Sequence, residues 1–348
     1  MKIVRIAMLG CGFVAEFYAQ GLRDVAGQEI IVAASRNETS ARQFASRWNV
    51  PEAVTDFDRV IERDDIDLYL IALPNFLHKE VAVKLARARR NQVCTKPLAR
   101  TGEEAREIFH AASGAGTLHG YAETEVFAPA VVRAREIVSR GSIGKVLWVR
   151  SRESHFGPHS AWFWNPELAG GGALLDMGCH CIEAARYFLG KETRPVEVMA
   201  WAGTLHHQTS LEDNALALLH FENGSVSHLE VSWTSRGGLD LRNEIHGTEG
   251  AIFTDVTRGT SVEAFTLGSS GYVVEKADAD QGWVKPVAEE AFAYGYQAEM
   301  KHFVECVREG KTPRETYQDG YIVNCIIDSI YRSARSGRRE KVALTGIS

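Results

Sequence analysis

The residues best suited to chemistry lie between Gly170 and Glu183, where three consecutive glycines precede Asp176 and His180. If the residues after the glycines are helical, Asp176 and His180 stand four positions apart on one face, and Glu183 follows three positions later. A carboxylate and an imidazole at a fixed separation can serve as an acid/base pair. Glycines have no Cβ, so their N–H groups can approach a flat or anionic ligand at the helix start. The alternative is an amphipathic helix with a histidine in its core.

The composition is that of an ordinary globular protein, with 348 residues, of which 45% are hydrophobic and 24% charged. A chain of this length exceeds one typical core, so two domains are expected. A net charge of −6 gives no electrostatic reason to expect nucleic acid or an acidic membrane as partner, which favours a small-molecule ligand. The first residues show no secretory signal, and no apolar run approaches the roughly 18 residues that span a bilayer. A cytoplasmic location is therefore expected.

The six cysteines are scattered through periodic segments, which favours reduced thiols in an intracellular protein. Cys179 and Cys181 flank His180, but on a helix they point about 200° apart, so they could not bind one ion together. No metal site is predicted.

A dinucleotide-binding turn is predicted near the start of the chain. Residues 3–9 are rich in β-forming types, and a helical pattern follows the glycines. In this G-x-G-x-x-A pattern the first glycine makes the turn, the second lets the backbone meet a pyrophosphate, and the alanine permits close packing. The pattern predicts NAD or NADP as cofactor, and the predicted contacts are Gly10, Gly12, Phe13, Val14 and Ala15.

The residues after the second predicted strand bear on the choice of cofactor. This strand, residues 30–34, ends about twenty residues after the turn, where a dinucleotide fold contacts the adenosine ribose. An acidic residue there would select NAD, whereas Ser35 and Arg36 can accept a 2′-phosphate and so favour NADP slightly. Arg36 could instead stack on adenine or be a solvated surface arginine.

Two further strand ends carry polar candidates. Residues 66–73 form a predicted buried strand, and Leu73, Pro74, Asn75 and His78 come at its carboxyl end, where parallel sheets bind ligands. The alternative for Asn75 and His78 is a turn or cap role. Lys96 follows another strand and precedes a proline, which would fix a cation near the cofactor.

The spacing of apolar residues along the sequence changes after residue 121. Beyond it, most predicted elements are strands in which apolar and polar residues alternate. The fold class predicted is therefore α/β, with an N-terminal Rossmann domain over residues 1–121. Residues 122–348 are predicted to form an α+β domain with a large, mostly antiparallel open sheet. Asn223-Gly224 predicts a hairpin between two of its strands.

A second group of residues suggests how a substrate is bound. Basic side chains on and after one strand precede an aromatic run, which offers faces for sugar rings near positive charge. This pattern predicts a pyranose with an acidic group, such as a uronate; the alternative is a packed aromatic cluster with solvated charges. The residues concerned are Arg150, Arg152, His155, His159, Trp162, Phe163 and Trp164.

Jointly these segments resemble the Gfo/Idh/MocA family of sugar dehydrogenases, named for glucose-fructose oxidoreductase, inositol dehydrogenase and rhizopine catabolism. The resemblance covers nearly the whole chain. It implies that Lys96, Asp176 and His180 form the catalytic constellation, and that the open sheet of the second domain makes a homodimer or homotetramer. The motifs that carry it are Gly10-x-Gly12-x-x-Ala15, Pro74-Asn75-x-x-His78, Lys96-Pro97-Leu98, and Gly170-Gly171-Gly172 followed by Asp176-x-Gly178-x-His180.

The chain departs from the family pattern at three places. Thr95 precedes Lys96 where the family usually has glutamate, and Glu183 stands where aspartate is common. The frequent Asn-Tyr-Arg-like segment is replaced by residues 123–126, so substrate recognition there should differ, and Glu125 becomes a candidate substrate contact.

The function predicted is oxidation or reduction of a secondary hydroxyl of a sugar, sugar derivative or polyol with NAD or NADP. His180 would transfer the hydroxyl proton, Lys96 would stabilise charge on the oxygen, and Asp176 would hold a neighbouring hydroxyl or the lysine. One alternative is a nicotinamide-dependent glycosidase that oxidises, eliminates, hydrates and reduces. Another is a non-catalytic sensor that binds nucleotide and sugar.

Overall fold

A computed structural model describes residues 2–257, 262–271, 273, 275–286 and 289–345. The chain divides into two compact units. The first unit holds Met1–Glu123 and Tyr296–Asn324, and the second holds Thr124–Gly295 and Cys325–Ser348. The sequence placed everything beyond residue 121 in one domain, whereas the segment Tyr296–Asn324 folds with the first unit.

The first unit is built around a six-stranded parallel sheet with the order β3-β2-β1-β4-β5-β6. Its strands are β1 (Val4–Leu9), β2 (Gln28–Ala34), β3 (Glu52–Val54), β4 (Leu68–Ile71), β5 (Gln92–Thr95) and β6 (His119–Ala122). The strands alternate with helices α1 (Phe13–Leu22), α2 (Glu38–Trp48), α3 (Phe57–Ile61), α4 (Asn75–Arg87) and α5 (Gly102–Ala115). The strand order reverses between β1 and β4, the place where doubly wound sheets bind ligands beyond their carboxyl ends.

The segment from the far end of the chain joins this unit through close packing. Helix α10 (Tyr296–Glu309) lies against α1, where the rings of Phe17 and Tyr296 stack with centroids 4.7 Å apart. A Cβ at Gly21 would come within 2.8 Å of the Tyr296 carbonyl oxygen, so glycine permits the two helices to approach. Met300 and Phe303 are buried in the same core.

The second unit is built around a seven-stranded sheet with the order β12-β11-β7-β10-β9-β8-β15. Only β7 and β10 pair in parallel among the described strands; the other neighbours are antiparallel. Its strands are β7 (Val146–Ser154), β8 (Pro195–Gly203), β9 (Asn214–Phe221), β10 (Val226–Ser232), β11 (Asp240–Gly247), β12 (Ala251–Asp255) and β15 (Glu340–Lys341). The predicted fold class, a Rossmann sheet followed by a mostly antiparallel sheet, is confirmed.

Shorter elements and four helices complete this unit. The predicted hairpin joins β9 and β10 through Asn223-Gly224, and Gly224 has a φ of +82°, which favours glycine. The unit also contains a small hairpin that the sequence did not predict. These elements are 3₁₀ turns Thr124–Phe127 and Ala161–Trp164, helices α6 (Pro129–Ser139), α7 (Pro166–Ala169), α8 (Ala173–Leu189) and α9 (Glu290–Ala293), and strands β13 (Ala264–Thr266) and β14 (Gly282–Val284). Helix α11 (Tyr317–Ser336) contributes residues to both units.

One face of the seven-stranded sheet is covered by α8, which packs on β7 and β10. Nearly every residue of α8 is buried. Successive side chains on a strand point to opposite faces, so cross-strand register assigns five of the exposed apolar residues to the other face. These five are Trp148, Met199, Trp201, Leu216 and Leu218.

None of the six cysteines, all of which lie in the described part of the chain, forms a disulfide. Five are buried, and Cys11 is partly exposed. Burial, together with the charge of Glu16, raises the pKa of the Cys11 thiol to about 12. Of the helices described, none combines the length and hydropathy that a bilayer crossing requires.

Candidate active site

The turn between β1 and α1 has the geometry of a dinucleotide site. Gly10 has a φ of +105°, and a Cβ there would lie 2.0 Å from the Ala72 carbonyl oxygen, so the protein's own packing requires glycine. A Cβ at Gly12, by contrast, would meet no described protein atom within 4 Å beyond its neighbours. The residue at the N-cap of α1 is Gly12, which has no side chain with which to cap the helix. The helix N-terminus therefore fits a pyrophosphate whose approach explains the second glycine.

The other residues predicted in this turn differ in exposure. Ala15 is fully buried, as close helix-to-strand packing requires, whereas Phe13 is exposed and Val14 is partly exposed. At the end of β2, Ser35 Oγ accepts a hydrogen bond from the Asn37 backbone N–H at 3.3 Å.

Arg36, the residue predicted to favour NADP, is an exposed side chain. Its guanidinium lies 5.3 Å from the ring centroid of Phe76, which orients the cation. The Arg36 side chain is therefore accessible from solvent, where a phosphate could reach it.

The histidine of the β4 rim has a different position from the one predicted. His78 is fully buried; its Nε2 lies 2.7 Å from the Leu73 carbonyl oxygen and its Nδ1 lies 3.0 Å from that of Pro97. Burial lowers the pKa of His78, against the effect of these carbonyl groups. Both ring nitrogens of His78 face backbone carbonyl oxygens, so the side chain links the loops that follow β4 and β5. No ring nitrogen is left for the direct cofactor contact that the sequence predicted. Asn75, the first residue of α4, is also buried, and Pro74 before it is partly exposed.

The loop that carries Lys96 is held from two sides. Lys96 follows β5 directly and is partly exposed. His78 binds the loop at Pro97, and Asn324 binds it at Ala99, whose N–H donates to Oδ1 at 3.3 Å and whose carbonyl accepts from Nδ2 at 2.8 Å. Sequence reasoning missed Asn324, although a polar residue in the apolar run of α11 was a signal.

The acid/base pair predicted on a helix lies on α8. Asp176 and His180 are both buried, one turn apart. Trp233, which follows β10 and is fully buried, donates its Nε1–H to Asp176 Oδ2 at 3.0 Å. A buried charge-assisted bond of this kind fixes the carboxylate rotamer. Sequence reasoning missed Trp233.

The glycines before α8 serve the protein's own packing, which corrects the expectation of a ligand at this helix start. Glu212 Oε1 accepts hydrogen bonds from the N–H groups of Gly172 at 2.9 Å and Leu174 at 3.0 Å, and from the Tyr331 hydroxyl at 2.8 Å. The Ala173 N–H donates to the Glu212 carbonyl at 3.0 Å. The orphan donors of the helix are thus occupied by a carboxylate of the chain.

Two glutamates accompany His180 on the covered face of the sheet. A carboxylate oxygen of Glu125, one of Glu153 and a ring nitrogen of His180 lie within 4.8 Å of one another. Glu125, a predicted substrate contact, sits in the 3₁₀ turn Thr124–Phe127, and Glu153 comes from β7. Sequence reasoning named Arg152 and missed Glu153 beside it.

Arg152 lies on the opposite face of the sheet, which contradicts its predicted place in a basic substrate cluster. Arg152 Nε lies 3.4 Å from Glu230 and 3.5 Å from Asp240, and Arg150 pairs with Glu230 and Glu244. The cause is the two-residue period of β7, in which 150 and 152 share one face and 153 points to the other. The acidic-substrate hypothesis loses both arginines.

The segment after β7 brings the two predicted histidines close to Asp176. Ligating atoms of His155, His159 and Asp176 lie within 4.8 Å of one another. Burial, assisted by His159, lowers the pKa of His155 to about 3. His159 also bonds Glu275. Burial raises the pKa of Glu275, but the hydrogen bond and charge of His159, together with the charges of His155 and Lys276, lower it below its usual value.

The predicted aromatic residues surround Trp233. Trp162 and Phe163 stack with centroids 3.8 Å apart, and Trp164 meets Trp233 edge to face at 5.4 Å. Trp162 and Trp164 both retain exposed surface. The cluster therefore combines internal packing with faces on which a sugar ring can stack.

Comparison with known proteins agrees with this geometry. Residues 4–122 match the family described as "Oxidoreductase family, NAD-binding Rossmann fold", and residues 131–253 match the "GFO/IDH/MocA C-terminal domain". The chain belongs to the Gfo/Idh/MocA oxidoreductase family. It is similar to GenD2 from gentamicin A biosynthesis, solved in complex with NAD, with 30% identity, a TM-score of 0.93, and coverage of 99% of this chain and 97% of that one.

Other members of the family are sugar and polyol dehydrogenases. Levoglucosan dehydrogenase of Pseudarthrobacter phenanthrenivorans is 29% identical, with 87% of each chain covered. A structure of levoglucosan dehydrogenase with NADH and levoglucosan has a TM-score of 0.85 at 27% identity, covering 99% of this chain and all of that one. The scyllo-inositol 2-dehydrogenase (NAD(+)) of Bacillus subtilis is 28% identical over 92% of this chain and 90% of its own length.

Family membership makes this chain an oxidoreductase with an NAD-binding Rossmann domain. The relatives include an NAD(+) and an NADP(+) enzyme by name, so they do not decide between the two cofactors. The comparisons give no support to the glycosidase alternative.

Proposed function

We propose that this protein is a dehydrogenase or reductase that transfers a hydride between NAD or NADP and a secondary hydroxyl carbon of a sugar, sugar derivative or polyol. The observation that carries the proposal is the buried Asp176–His180 pair on α8, in a chain whose other unit has an NAD-binding Rossmann fold. The second unit supplies most of the residues proposed to bind the substrate.

The roles of the residues follow from the chemistry of alcohol oxidation. A bound cofactor would supply the hydride acceptor, and the hydroxyl proton must leave as negative charge builds on the oxygen. His180 takes this proton in the oxidative direction and returns it in the reductive one. Lys96 stabilises the charged oxygen. Asp176, oriented by Trp233, binds a neighbouring hydroxyl of the sugar.

Cofactor preference follows from the residues after β2. Ser35 and Arg36 favour NADP, because a serine hydroxyl and an exposed guanidinium suit a 2′-phosphate and no carboxylate follows the strand directly. The proposal predicts a higher kcat/KM with NADP than with NAD.

Self-association is proposed through the uncovered face of the seven-stranded sheet. An exposed set of large apolar side chains on one face indicates a protein interface, and Trp201 belongs to this set, with Leu216 opposite it on β9. We propose a homodimer or homotetramer, which light scattering after size exclusion would reveal. A monomer at micromolar concentration would contradict it.

The function is tested by incubating the protein with a panel of sugars and polyols plus NAD or NADP, and by following reduced nicotinamide at 340 nm. The expected result is turnover of at least one sugar, lost by about 10²-fold or more in His180→Ala. Tight cofactor binding without turnover of any sugar would instead support the sensor alternative.

A further inference from the structure

The loop that follows β7, residues 155–159, brings two histidines to the substrate side of α8. Ligating atoms of His155 and His159 lie within 4.8 Å of a carboxylate oxygen of Asp176. Part of the loop backbone is held by the sheet, because the N–H groups of His155 and Gly157 donate to carbonyls at the end of β10 and just after it, at 3.0 and 2.8 Å. The carbonyl groups of the loop need partners of their own.

A single lysine from a distant segment supplies these partners. Lys276 Nζ donates to three consecutive backbone carbonyls, those of Phe156 at 3.3 Å, Gly157 at 2.9 Å and Pro158 at 2.8 Å. An ammonium group has three N–H donors and no acceptor, so the three carbonyls match it completely. No donor is left for a substrate. Lys276 therefore acts through the loop rather than by contact with a sugar.

The backbone at Lys276 has a conformation that residues other than glycine rarely adopt. Its φ is +62°, and the other described non-glycine residues with a positive φ are Asn49 and Arg89. Asn49 caps the end of α2 and Arg89 follows the end of α4, where this conformation is common, whereas no described helix ends near Lys276. Such backbone persists only where the surroundings fix it, and it is concentrated at functional sites.

The residue before the lysine binds the same loop. Glu275 bonds the ring of His159, and both side chains are largely buried. The Glu275 backbone is itself fixed, because its N–H donates to Glu290 Oε1 at 2.7 Å and its carbonyl accepts a backbone N–H at 2.9 Å. Two consecutive side chains thus hold the loop, one along its backbone and one at its last residue. Both come from the segment between β12 and α9.

We propose that Lys276 is a positioning residue of the substrate site, which fixes the 155–159 loop so that His155 and His159 stay beside Asp176. The inference rests on the dehydrogenase function proposed above, in which Asp176 binds a hydroxyl of the sugar. A misplacement of about 1 Å can lower turnover about 10²-fold, so binding groups on a loop need support. Sugar binding therefore depends on a residue that does not touch the sugar.

Hydrogen exchange tests this support and needs no substrate. Lys276→Met removes the three donors and keeps an apolar side chain of similar length. Peptides that contain the 155–159 loop should then exchange about tenfold faster or more than in the wild type, by mass spectrometry. Lys285→Met is the matched control, since Lys285 lies in the same segment and pairs with Glu263 at the surface; it should leave these rates unchanged. Wild-type exchange in Lys276→Met would overturn the inference.

The titration of His155 distinguishes a local hold on the loop from a general loss of stability. Burial lowers the pKa of His155 to about 3, assisted by the charges of His159 and Lys276. The charges of Asp176 and Glu275 act in the opposite direction. Lys276→Met removes one lowering charge and lets water reach the imidazole, so this pKa should rise by about one unit or more. Proton NMR from pH 4 to 8 measures it, with the His155 signal identified by its loss in His155→Gln; a signal that stays as flat as in the wild type would contradict the proposed hold.

Steady-state kinetics connect the loop with the reaction. For a sugar of the panel that the wild type oxidises, Lys276→Met should raise the KM for the sugar about tenfold and leave the KM for the nicotinamide cofactor unchanged. An unchanged sugar KM would overturn the inference while leaving the dehydrogenase function intact, whereas no oxidation of any sugar by the wild type would overturn both. If Lys276→Met does not fold, Lys276→Gln, whose amide keeps two donors, takes its place with smaller effects in the same directions; wild-type exchange and KM in that variant would equally contradict the inference.

Discussion

Two glycine-rich turns lead into helices of this protein, and they require glycine for different reasons. In the turn before α1, a Cβ at Gly12 would meet no described protein atom beyond its neighbours. In the turn before α8, a Cβ at Gly172 would lie 2.0 Å from the Glu212 carbonyl oxygen, and one at Gly171 would lie 2.1 Å from the Tyr331 hydroxyl. At Gly12 the first turn leaves space for a ligand, although Gly10 of the same turn is required by packing, whereas the second turn is filled by the chain itself at Gly171 and Gly172.

The comparison shows when glycines before a helix indicate an anion site. The N–H groups at the start of any α-helix need acceptors. At α8 the acceptor is Glu212, which comes from a loop 38 to 40 residues away in sequence. At α1 the cap residue is Gly12, which has no side chain to fill this role, and the open space beside it can admit a phosphate. The difference is set by a distant carboxylate and is invisible in the local pattern.

The largest effect is expected for Gly172→Ala. Its Cβ would collide with a backbone oxygen, which cannot rotate away, so the turn must shift. We expect the free energy of unfolding to fall by about 1–3 kcal/mol or more, measured by urea denaturation and circular dichroism. Wild-type stability would show that the turn before α8 is as open as the one before α1.

Gly171→Ala should be partly rescued by Tyr331→Phe. The phenylalanine removes the hydroxyl that the new Cβ would strike, although Leu175 Cβ at 2.9 Å still crowds the site. We expect the double variant to be more stable than the sum of the single changes by about 1 kcal/mol. Purely additive effects on the free energy of unfolding would show that the Tyr331 hydroxyl is not what makes residue 171 require glycine.

Gly12→Ala should weaken the cofactor without weakening the fold. The added methyl enters the space through which the backbone approaches a pyrophosphate. We expect the Kd for NAD or NADP to rise about tenfold, by calorimetric titration, while the free energy of unfolding stays within about 0.5 kcal/mol. Unaltered cofactor affinity would mean that the two turns do not differ in function.

The smallest effect concerns the charge of Glu212. Burial raises its pKa above 4.5, although Tyr331 and backbone N–H groups bind the carboxylate. A raised folded-state pKa means that ionisation penalises the fold, and this penalty grows as pH rises from 4.5 through the folded pKa. Relative to Glu212→Gln, wild type should therefore lose stability over this range, by at most about 1.4 kcal/mol per pH unit. A difference that is flat from pH 4 to 7 would contradict a raised pKa of Glu212.

The fold class could be predicted from the sequence because it follows from the spacing of apolar residues within each segment. The strands predicted at residues 3–9 and 66–73 correspond to β1 and β4, and the strand predicted at residues 30–34 corresponds to the second part of β2. Which unit α10 joins was not readable, since it depends on a contact between Tyr296 and Phe17, far apart in sequence.

Site residues could be predicted from the sequence only where one segment contains both the residues and the pattern that relates them. Asp176 and His180 share a helix, so their spacing sufficed. Trp233 lies 57 residues from Asp176, and Asn324 lies 225 residues from the loop it binds. Glu153 was missed because the alternation of residues on β7 does not show which face of the sheet α8 covers. That depends on the tertiary structure.

The state of the thiols makes this chain suited to site-specific chemistry. Five cysteines are buried, and Cys11, with its pKa near 12, carries a thiolate fraction roughly 10³-fold below that of an ordinary exposed cysteine at neutral pH. A single cysteine introduced on the surface should therefore outcompete all six native ones for a maleimide. Fluorophores could then be attached to the unmodified wild-type background, with no native thiol removed first.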